Sequence, residues 1–254
     1  MAGYVDFRQD VGKWLTFNAG LRVDHHSRVG TEWVPQAGLA FHLPHTIELK
    51  ASASKGFRYP ILREMYMFPP QNPDLKPESM WNYEIAFSQR LLGGSLSYGI
   101  NLFYIDGKNL IMTLSNPSGS GMLNQNSGEI DNAGVEAQVA YRFNKSWSVD
   151  ANYSYLHMEN SVIAAPEHKL YAGANFTQGA GRYRRAYSTS PDFTPHRSGY
   201  NRESCLMESA RTIPCRPMAR HLARGENLLA QRYEINAGYP MPRATVMAGI
   251  NLNF

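Results

Sequence analysis

Four histidines are the first side chains in this sequence that could bind a metal ion. They occur as His25 next to His26 and as His42 near His45. A structural zinc site needs four Cys or His ligands at characteristic spacings, and neither histidine pair belongs to such a set. We therefore expect these histidines to be solvated, and the sequence predicts no metal centre.

Carboxylates and cysteines are the other residues that could carry out chemistry. Asp106, Asp131 and Glu136 are scattered, and no nucleophile or base is partnered with them in the sequence. Cys205 and Cys215 could form one disulfide or none, and they do not indicate a compartment. We expect no enzyme activity and predict no catalytic, cofactor-binding or metal-binding residue.

A strict alternation of side chains runs through the last residues of the chain. Val246, Ala248, Ile250, Leu252 and Phe254 share one face of an extended strand, because successive strand residues point to opposite faces. The same alternation recurs upstream and predicts roughly nine strands or more, each with one apolar face. The elements that must position any site are therefore strands and the loops between them.

Short turns alternate with long loops between these strands. Gly12, Gly93-Gly94 and Asn144-Lys145 occupy predicted turns. Long loops are predicted at residues 25–31, 57–78, 114–130, 158–166 and 236–243. Short turns at one end of a sheet and long loops at the other are typical of outer-membrane barrels. The pattern predicts an all-β, antiparallel transmembrane barrel.

The composition is compatible with such a barrel. Mean hydropathy is −0.41 and 43% of the residues are hydrophobic. A transmembrane barrel needs no long apolar run, and no window approaches the roughly 18 apolar residues of a spanning helix. The first ten residues do not show the basic and then apolar order of a signal peptide, so we expect this chain to carry no export signal.

The positive charge of the chain lies in one segment. The formal net charge is +4, yet residues 182–224 hold nine arginines and three acidic residues, so the remainder of the chain carries about −2. A basic excess confined to one irregular segment is not a nucleic-acid-binding face. We expect no nucleic-acid partner.

Several motifs occur in a recognisable order along the chain. They are Lys55-Gly-Phe-Arg-Tyr-Pro60, Leu62-Arg-Glu-Met-Tyr66, Asn72-Pro-Asp-Leu-Lys-Pro-Glu78 and Asn82-Tyr-Glu84, followed by Glu226-Asn-Leu-Leu229, Tyr233-Glu234 and Gly238-Tyr-Pro-Met-Pro242. Together they closely resemble the barrel signatures of TonB-dependent outer-membrane receptors. The resemblance covers roughly residues 1–180 and 224–254.

The resemblance implies a barrel of about 22 strands that is filled by an amino-terminal plug. Such receptors lie in the outer membrane of Gram-negative bacteria and import scarce, bulky nutrients such as iron–siderophore complexes, haem or cobalamin. The TonB complex supplies the energy through the plug. The resemblance therefore implies a transport receptor that is embedded in outer-membrane lipid.

The count of strands predicts that this chain is only the carboxyl-terminal part of such a barrel. Counting back from Phe254 gives about thirteen of the roughly 22 strands, which leaves the plug and the energy-coupling box outside the sequence. The resemblance also implies that Phe254 is recognised by the barrel-assembly machinery. A plugless structural or adhesive outer-membrane barrel and a non-functional gene remnant are the alternatives.

The alternation stops between residues 182 and 224, and we predict an irregular segment there within a single 1–254 barrel domain. One interpretation is an arginine-rich insertion that binds an anion or a partner. We favour a reading-frame error. Met218-Ala-Arg-His-Leu222, shifted forward by one nucleotide, begins with a Trp codon and can continue as the strand-like Leu-Asp-Ile.

Five side chains are candidates for a ligand-facing loop. Arg58, Arg63 and Tyr66 lie where a strand meets a long loop, and Asn124 and Asn126 lie in a stretch rich in Gly, Ser and Asn. One interpretation is ligand contact at the outer mouth. The alternative is structural pinning of the signature by Arg58, Arg63 and Tyr66, with a flexible, variable loop around the two asparagines.

Overall fold

The computed structural model describes residues 1–67, 69–159, 166–178, 181–190, 204–216, 219–232, 234–236 and 239–252, of which 178, 181–190, 204–216, 219–222, 234–236 and 251–252 are described as backbone only. The strands are β1 (Ala2–Val11), β2 (Leu15–His26), β3 (Gly30–Leu43), β4 (Ile47–Arg58), β5 (Glu78–Leu91), β6 (Leu96–Ser115), β7 (Met122–Arg142), β8 (Trp147–Met158), β9 (His168–Gln178), β10 (Gly181–Ser190), β11 (Ser204–Arg216), β12 (Ala219–Glu226), β13 (Glu234–Asn236), β14 (Tyr239–Pro240) and β15 (Thr245–Leu252). The helices are α1 (Leu62–Tyr66) and a 3₁₀ turn at Leu92–Gly94. In the described ranges, neither helix is long and apolar enough to cross a membrane.

One large sheet contains thirteen of these strands. They are hydrogen-bonded in chain order from β1 to β12, with β15 last, while β13 and β14 pair separately. Antiparallel registers join β1 to β4 in succession, and likewise β8 to β12 and β12 to β15. The prediction of an antiparallel all-β chain of about thirteen strands is confirmed.

The chain divides into two compact units. The first comprises Met1–Phe87, Asn101–Gly134 and Met158–Asn160, and the second comprises Ser88–Ile100, Val135–His157 and Ser161–Phe254. Strands β5 to β8 therefore contribute residues to both units.

In the first unit, the apolar face of the sheet carries exposed side chains. Leu39 pairs with Ala51 across β3 and β4, and both Leu39 and Leu49 remain exposed, as do Ile85 and Leu102. A soluble protein rarely leaves so large an apolar face uncovered, whereas the strands of a membrane barrel turn such a face to lipid.

Few hydrophobic side chains in the described residues are buried in a core. Those that are buried are Met65, Leu75 and Met158, all in the first unit. Met65 and Leu75 lie in the segment between β4 and β5. Apolar packing in this unit is therefore concentrated at a loop.

In the second unit, the same alternation leaves apolar side chains exposed along successive strands. Tyr153 pairs with Leu170 across β8 and β9, and both side chains are exposed. Val246 and Ile250 of β15 are also exposed, and because they are four residues apart in a strand, their side chains lie on the same face. The apolar face predicted from the sequence is thus present in this unit as well.

The predicted turns are confirmed, and each has a local cause. Gly12 has a φ of +63°, and a Cβ built there would lie 3.3 Å from the Trp14 indole. Gly93 and Gly94 have φ values of +62° and +87°, which glycine adopts without strain. The side-chain oxygen of Asn144 accepts hydrogen bonds from the amides of Ser146 at 2.8 Å and of Trp147, the first residue of β8, at 2.9 Å.

Two of the predicted long loops are short. Strand β6 continues to Ser115 and β7 begins at Met122, so residues 116–121 form the connection and the expected loop at 114–130 is mostly strand. The Asn116 amide donates to the Gly121 carbonyl at 2.9 Å, which closes the turn. The connection after β2 is similarly limited to residues 27–29. Backbone pairing extends a hairpin regardless of the polarity of its side chains.

The expectation of an irregular segment at 182–224 is wrong for the described backbone. Strands β10, β11 and β12 cover most of it, and β10 pairs with β9 while β12 pairs with β15. Backbone groups are the same in every residue except proline, so neighbouring strands can pair with this segment without alternating side chains. The register shifts between Pro214 and Arg216, where the proline lacks an amide donor. Residues 191–203 and 217–218 lie outside the described residues, as does Phe254.

Candidate functional site

The connection between β4 and β5, residues 59–77, is closed at its base by an ion pair. Arg58 ends β4 and Glu78 begins β5. The Arg58 guanidinium donates from Nε to Glu78 Oε2 at 2.5 Å and from Nη2 to Oε1 at 2.7 Å. Two parallel hydrogen bonds of this kind are the geometry that a guanidinium matches best. The two ends of the connection are therefore joined directly.

The same arginine also holds helix α1. Arg58 Nη1 donates to both carboxylate oxygens of Glu64, at 3.0 and 3.1 Å. Glu64 Oε2 in turn accepts the Ile61 amide at 2.9 Å, which satisfies a free donor at the start of the helix. One guanidinium thus connects the end of β4, the first turn of α1 and the start of β5.

In this cluster one positive charge, on Arg58, lies between two negative charges, on Glu64 and Glu78. The hydrogen bond from Arg58 lowers the pKa of Glu78, desolvation opposes that effect, and a 2.9 Å hydrogen bond from the Ile111 amide lowers the pKa further. The pKa of Arg58 is raised, first by its hydrogen bond to Glu78. Glu78 lies on the loop side of Trp81, an aromatic residue of the kind that marks a membrane interface. Arg58, Glu64 and Glu78 together therefore carry a formal net charge of −1.

Asn124 attaches β7 to the connection through two hydrogen bonds and to β6 through a third. Its side-chain nitrogen Nδ2 donates to the Glu64 carbonyl at 2.8 Å, and its side-chain oxygen Oδ1 accepts from Thr113 Oγ1 at 2.7 Å. The Asn124 carbonyl accepts from Asn72 Nδ2 at 2.7 Å. The residue bridges the helix, β6 and the second half of the connection.

Asn126 makes the corresponding attachment near Lys76. Its side-chain oxygen Oδ1 accepts a hydrogen bond from the Lys76 backbone amide at 2.7 Å. Its side-chain nitrogen Nδ2 donates to the carbonyls of Lys76 at 2.9 Å and Asn109 at 2.7 Å. The side chain thus pairs with the Lys76 backbone as a neighbouring strand would. Leu75, next to Lys76, is buried.

The remaining two candidates lie on α1. Arg63 is exposed, and its carbonyl accepts the Met67 amide at 3.2 Å. Tyr66 accepts a hydrogen bond at its hydroxyl from Arg28 Nη1 at 2.9 Å, and the Arg28 guanidinium carbon lies 5.8 Å from the centre of the tyrosine ring.

The structure gathers the five sequence candidates around one connection. Arg58 and Asn124 meet the same residue, Glu64, through its carboxylate and its carbonyl respectively. The hydrogen bonds of Arg58, Asn124 and Asn126 described above run to the protein itself. Contact of the five residues with a ligand stays a prediction.

Sequence reasoning missed three residues that complete this arrangement, namely Glu64, Glu78 and Arg28. Glu64 follows Ile61 by three residues, which is the spacing of a carboxylate that caps a helix start, so a signal was present. Arg58 and Glu78 are 20 residues apart, and only the pairing of β4 with the rest of the sheet brings them together. No sequence signal pairs Arg28 with Tyr66.

The histidines and carboxylates considered as chemical groups lie on the strands, except His45, which lies in the turn between β3 and β4. His25 Nδ1 lies 2.9 Å from Thr31 Oγ1, and His42 lies between Thr16 Oγ1 and Glu48. Asp131 accepts a hydrogen bond from Tyr104 at 3.1 Å. Within the part of the chain that the structure describes, no three His, Cys, Asp or Glu residues are grouped to hold a metal ion.

An apolar groove of about 530 Å³ lies on the apolar face of the first unit. Small side chains such as Ala51 and Ala53 line it together with larger ones such as Leu39, Ile85 and Leu102. None of the five candidate residues lines this groove. The candidate ligand residues and the groove are therefore separate features.

Two curated proteins resemble this chain in sequence. An iron-regulated outer membrane virulence protein of Vibrio cholerae is 26% identical over 203 residues, which cover 69% of this chain and 31% of that protein. Vitamin B12 transporter BtuB of Photobacterium profundum is 28% identical over 151 residues, which cover 58% of this chain and 24% of that protein. The matched region is thus less than a third of either relative.

A solved structure shows the same fold. The siderophore receptor PirA from Pseudomonas aeruginosa has a TM-score of 0.80 at 18% identity, and the match covers 100% of this chain and 46% of that one. A family model described as TonB dependent receptor-like, beta-barrel, matches residues 1–204. This match spans most of the strands described above, and the chain belongs to the TonB-dependent receptor family, in its β-barrel domain.

Proposed function

We propose that this chain forms part of the barrel of an outer-membrane transport receptor in a Gram-negative bacterium. The receptor takes up a scarce, bulky nutrient, which is an iron–siderophore complex, haem or cobalamin, and the TonB complex energises the uptake. The chain has no catalytic activity of its own. Family membership and the functions that the names of the two curated relatives state support this proposal.

The observation that carries the proposal is the exposed apolar face of the strands combined with an ordered connection at their end. Exposed residues such as Leu39 and Ile85 suit contact with lipid. The connection 59–77 is attached at Arg58, Asn124 and Asn126, so it offers a preformed surface outside the strands. Preformed surfaces bind ligands without the entropic cost of ordering a loop.

Membrane insertion is tested first. The full chain is refolded into detergent micelles, and a folded barrel segment is expected to migrate faster on an unheated gel than after boiling. In cells, the chain preceded by an export signal is expected in the outer-membrane fraction, and removal of Phe254 is expected to lower that amount if the barrel-assembly machinery recognises it. Recovery only as soluble or aggregated protein would contradict the proposal.

Ligand binding is tested on the folded chain. Quenching of tryptophan fluorescence is measured with a ferric catecholate chelate, haemin and cyanocobalamin, with the boiled chain as the control. Saturable binding of one class is expected. A folded, inserted chain that binds none of them would instead support a structural or adhesive barrel protein.

A further inference from the structure

The apolar groove of the first unit has a floor of small side chains between larger ones. Across β3 and β4, Ala37 pairs with Ala53 and Leu39 pairs with Ala51, and all four line the groove. Strands β2, β5 and β6 contribute the large side chains of Phe17, Tyr83, Ile85, Leu102 and Tyr104. The volume of about 530 Å³ lies within the range of about 300–1,000 Å³ that is usual for cavities that bind small molecules.

The groove is narrow along the strands. On each of β3 to β6 its outermost lining residues are two positions apart, as Ala51 and Ala53 are, and this spacing corresponds to about 7 Å. An α-helix with its side chains is about 10–12 Å wide, so a helix does not enter the groove. A single hydrocarbon chain fits this width.

The position of the groove relative to two tryptophans gives its depth in the membrane. Trp33 precedes Ala37 by four residues on β3, and Trp81 precedes Tyr83 by two residues on β5, so each pair shares a face of its strand. Tryptophans mark the interface between the membrane and water. At about 3.3 Å per residue, the groove begins roughly 7–13 Å along the strands from that interface. Lipid acyl chains are the hydrocarbon present at that depth.

The end of the groove nearest to Trp81 lies beside a negative charge. Tyr83 and Tyr104 stack there with their ring centres 6.3 Å apart, and the Tyr104 hydroxyl donates to Asp131 Oδ2 at 3.1 Å. Asp131 is exposed and forms no ion pair within the described part of the chain, whereas Asp106 is paired with Lys108 at 3.4 Å. A carboxylate attracts an ammonium group and repels a lipid head group with a net negative charge.

We propose that this groove binds one acyl chain of a phospholipid whose ammonium head group pairs with Asp131. The acyl chain lies over Ala51 and Ala53, between the large side chains of the neighbouring strands. Tyr83 and Tyr104 cover the part of the lipid where the acyl chain meets the head group, because a tyrosine has an apolar ring and a polar end. This inference goes beyond the proposed function and rests on it only for the membrane location of the strands.

The test uses the full chain, folded in detergent, and native mass spectrometry with added dioleoyl phosphatidylethanolamine. We expect one lipid to bind per chain. Ala53→Leu and Ala51→Leu are each expected to weaken binding about tenfold, because leucine fills the space of several methylene groups and each buried methylene contributes about fourfold to affinity. Ala151→Leu is the matched control, because Ala151 of β8 is half-buried like Ala53 and does not line the groove.

The role of Asp131 is tested by the preference between two lipids with the same acyl chains. The unsubstituted chain is expected to bind dioleoyl phosphatidylethanolamine more tightly than dioleoyl phosphatidylglycerol, whose head group carries a net negative charge. Asp131→Asn is expected to reduce this preference about twofold to fivefold, as for an exposed ion pair. Glu136→Gln removes the same charge from the other end of β7 and should leave the preference unchanged.

Failure of this inference is distinguishable from failure of the proposed function. A chain that does not fold in detergent contradicts the proposed function, whereas a folded chain that binds no phosphatidylethanolamine overturns only this inference. Equal affinities of Ala53→Leu, Ala51→Leu and the unsubstituted chain also overturn it, and so does a dimer whose formation excludes the lipid. Equal binding of the two lipids by the unsubstituted chain overturns the role of Asp131.

Discussion

Arg58 and Glu78 join the end of β4 to the start of β5 through two hydrogen bonds, of 2.5 and 2.7 Å. The pair closes a connection of 19 residues, 59–77, at its base. Because Arg58 also binds Glu64, the conformation of this connection depends on one guanidinium. Arg58, which the sequence analysis named as a candidate ligand contact, thus also determines the conformation of the connection.

Arg58→Lys is expected to destabilise the folded chain by about 1–2 kcal/mol, because an ammonium cannot make the two parallel hydrogen bonds and reach Glu64 as well. Urea unfolding in detergent, followed by tryptophan fluorescence, measures the change. Arg22→Lys is the matched control, since its pair with Asp24 lies within one strand and is exposed to solvent, so this substitution should cost less stability than Arg58→Lys. Equal losses in the two variants would contradict the special role of Arg58.

Asn126→Asp is expected to release the second half of the connection. The substitution keeps the acceptor for the Lys76 amide but removes the donor to the Lys76 and Asn109 carbonyls, which then face a carboxylate. The free energy of local opening should fall by about 1–3 kcal/mol. Trypsin cleavage after the exposed Arg63 should accelerate about tenfold.

Gln125→Glu is the control for that experiment, because Gln125 makes one side-chain hydrogen bond, to the Ser115 carbonyl, and lies next to Asn126. It should change the cleavage rate little. An unchanged rate in Asn126→Asp would show that Asn126 does not hold the connection.

Gly128→Ala is expected to destabilise the first unit by about 1–3 kcal/mol through crowding. A Cβ at this position would lie 2.8 Å from Leu110 Cβ and 2.9 Å from Met112 Sδ. Gly3→Ala is the control, because a Cβ there would meet nothing within 4 Å. The midpoints of urea unfolding in detergent are compared between the two variants. An unchanged midpoint in Gly128→Ala would mean that β6 and β7 can move apart at that position without loss of stability.

Acid is expected to weaken the closure of the connection. The pKa of Glu78 is lowered from its usual 4.5, chiefly by the hydrogen bond from Arg58. A carboxyl group with a lowered pKa contributes its stability above its usual pKa and loses it as the pH falls through the lowered value. The stability difference between the unsubstituted chain and Glu78→Gln should therefore be present at neutral pH and shrink below about pH 4.5. A difference that is independent of pH would contradict this assignment.

The nucleotide sequence encoding residues 182–224 is expected to contain a compensated frameshift. The described backbone of this segment pairs as strands, yet nine arginines and three acidic residues replace the alternation seen elsewhere. Sequencing through this region should reveal a shifted frame that restores alternating residues. A continuous frame with no such alternative would make the arginine-rich segment a genuine part of the protein.

Local sequence patterns were sufficient to predict the turns and at least nine of the strands. Gly12 and Gly93-Gly94 adopt positive φ angles that glycine tolerates, and Asn144 binds the amides of its own turn. These causes act within a few residues, so they can be read directly from the sequence. The resemblance of the motifs in residues 55–84 to a receptor family is likewise carried by the order of the residues alone.

The sequence by itself determined the strands outside residues 182–224, their apolar face and the family of this protein, because alternation and turn residues act locally. Only the tertiary structure decided that Asn124 meets Glu64, 60 residues away, and that Asn126 meets Lys76, 50 residues away. It also decided that residues 182–190 and 204–216 pair as strands despite their side chains. The physical reason is that strand register sets contacts between distant residues, and backbone hydrogen bonds form with little regard to side-chain pattern.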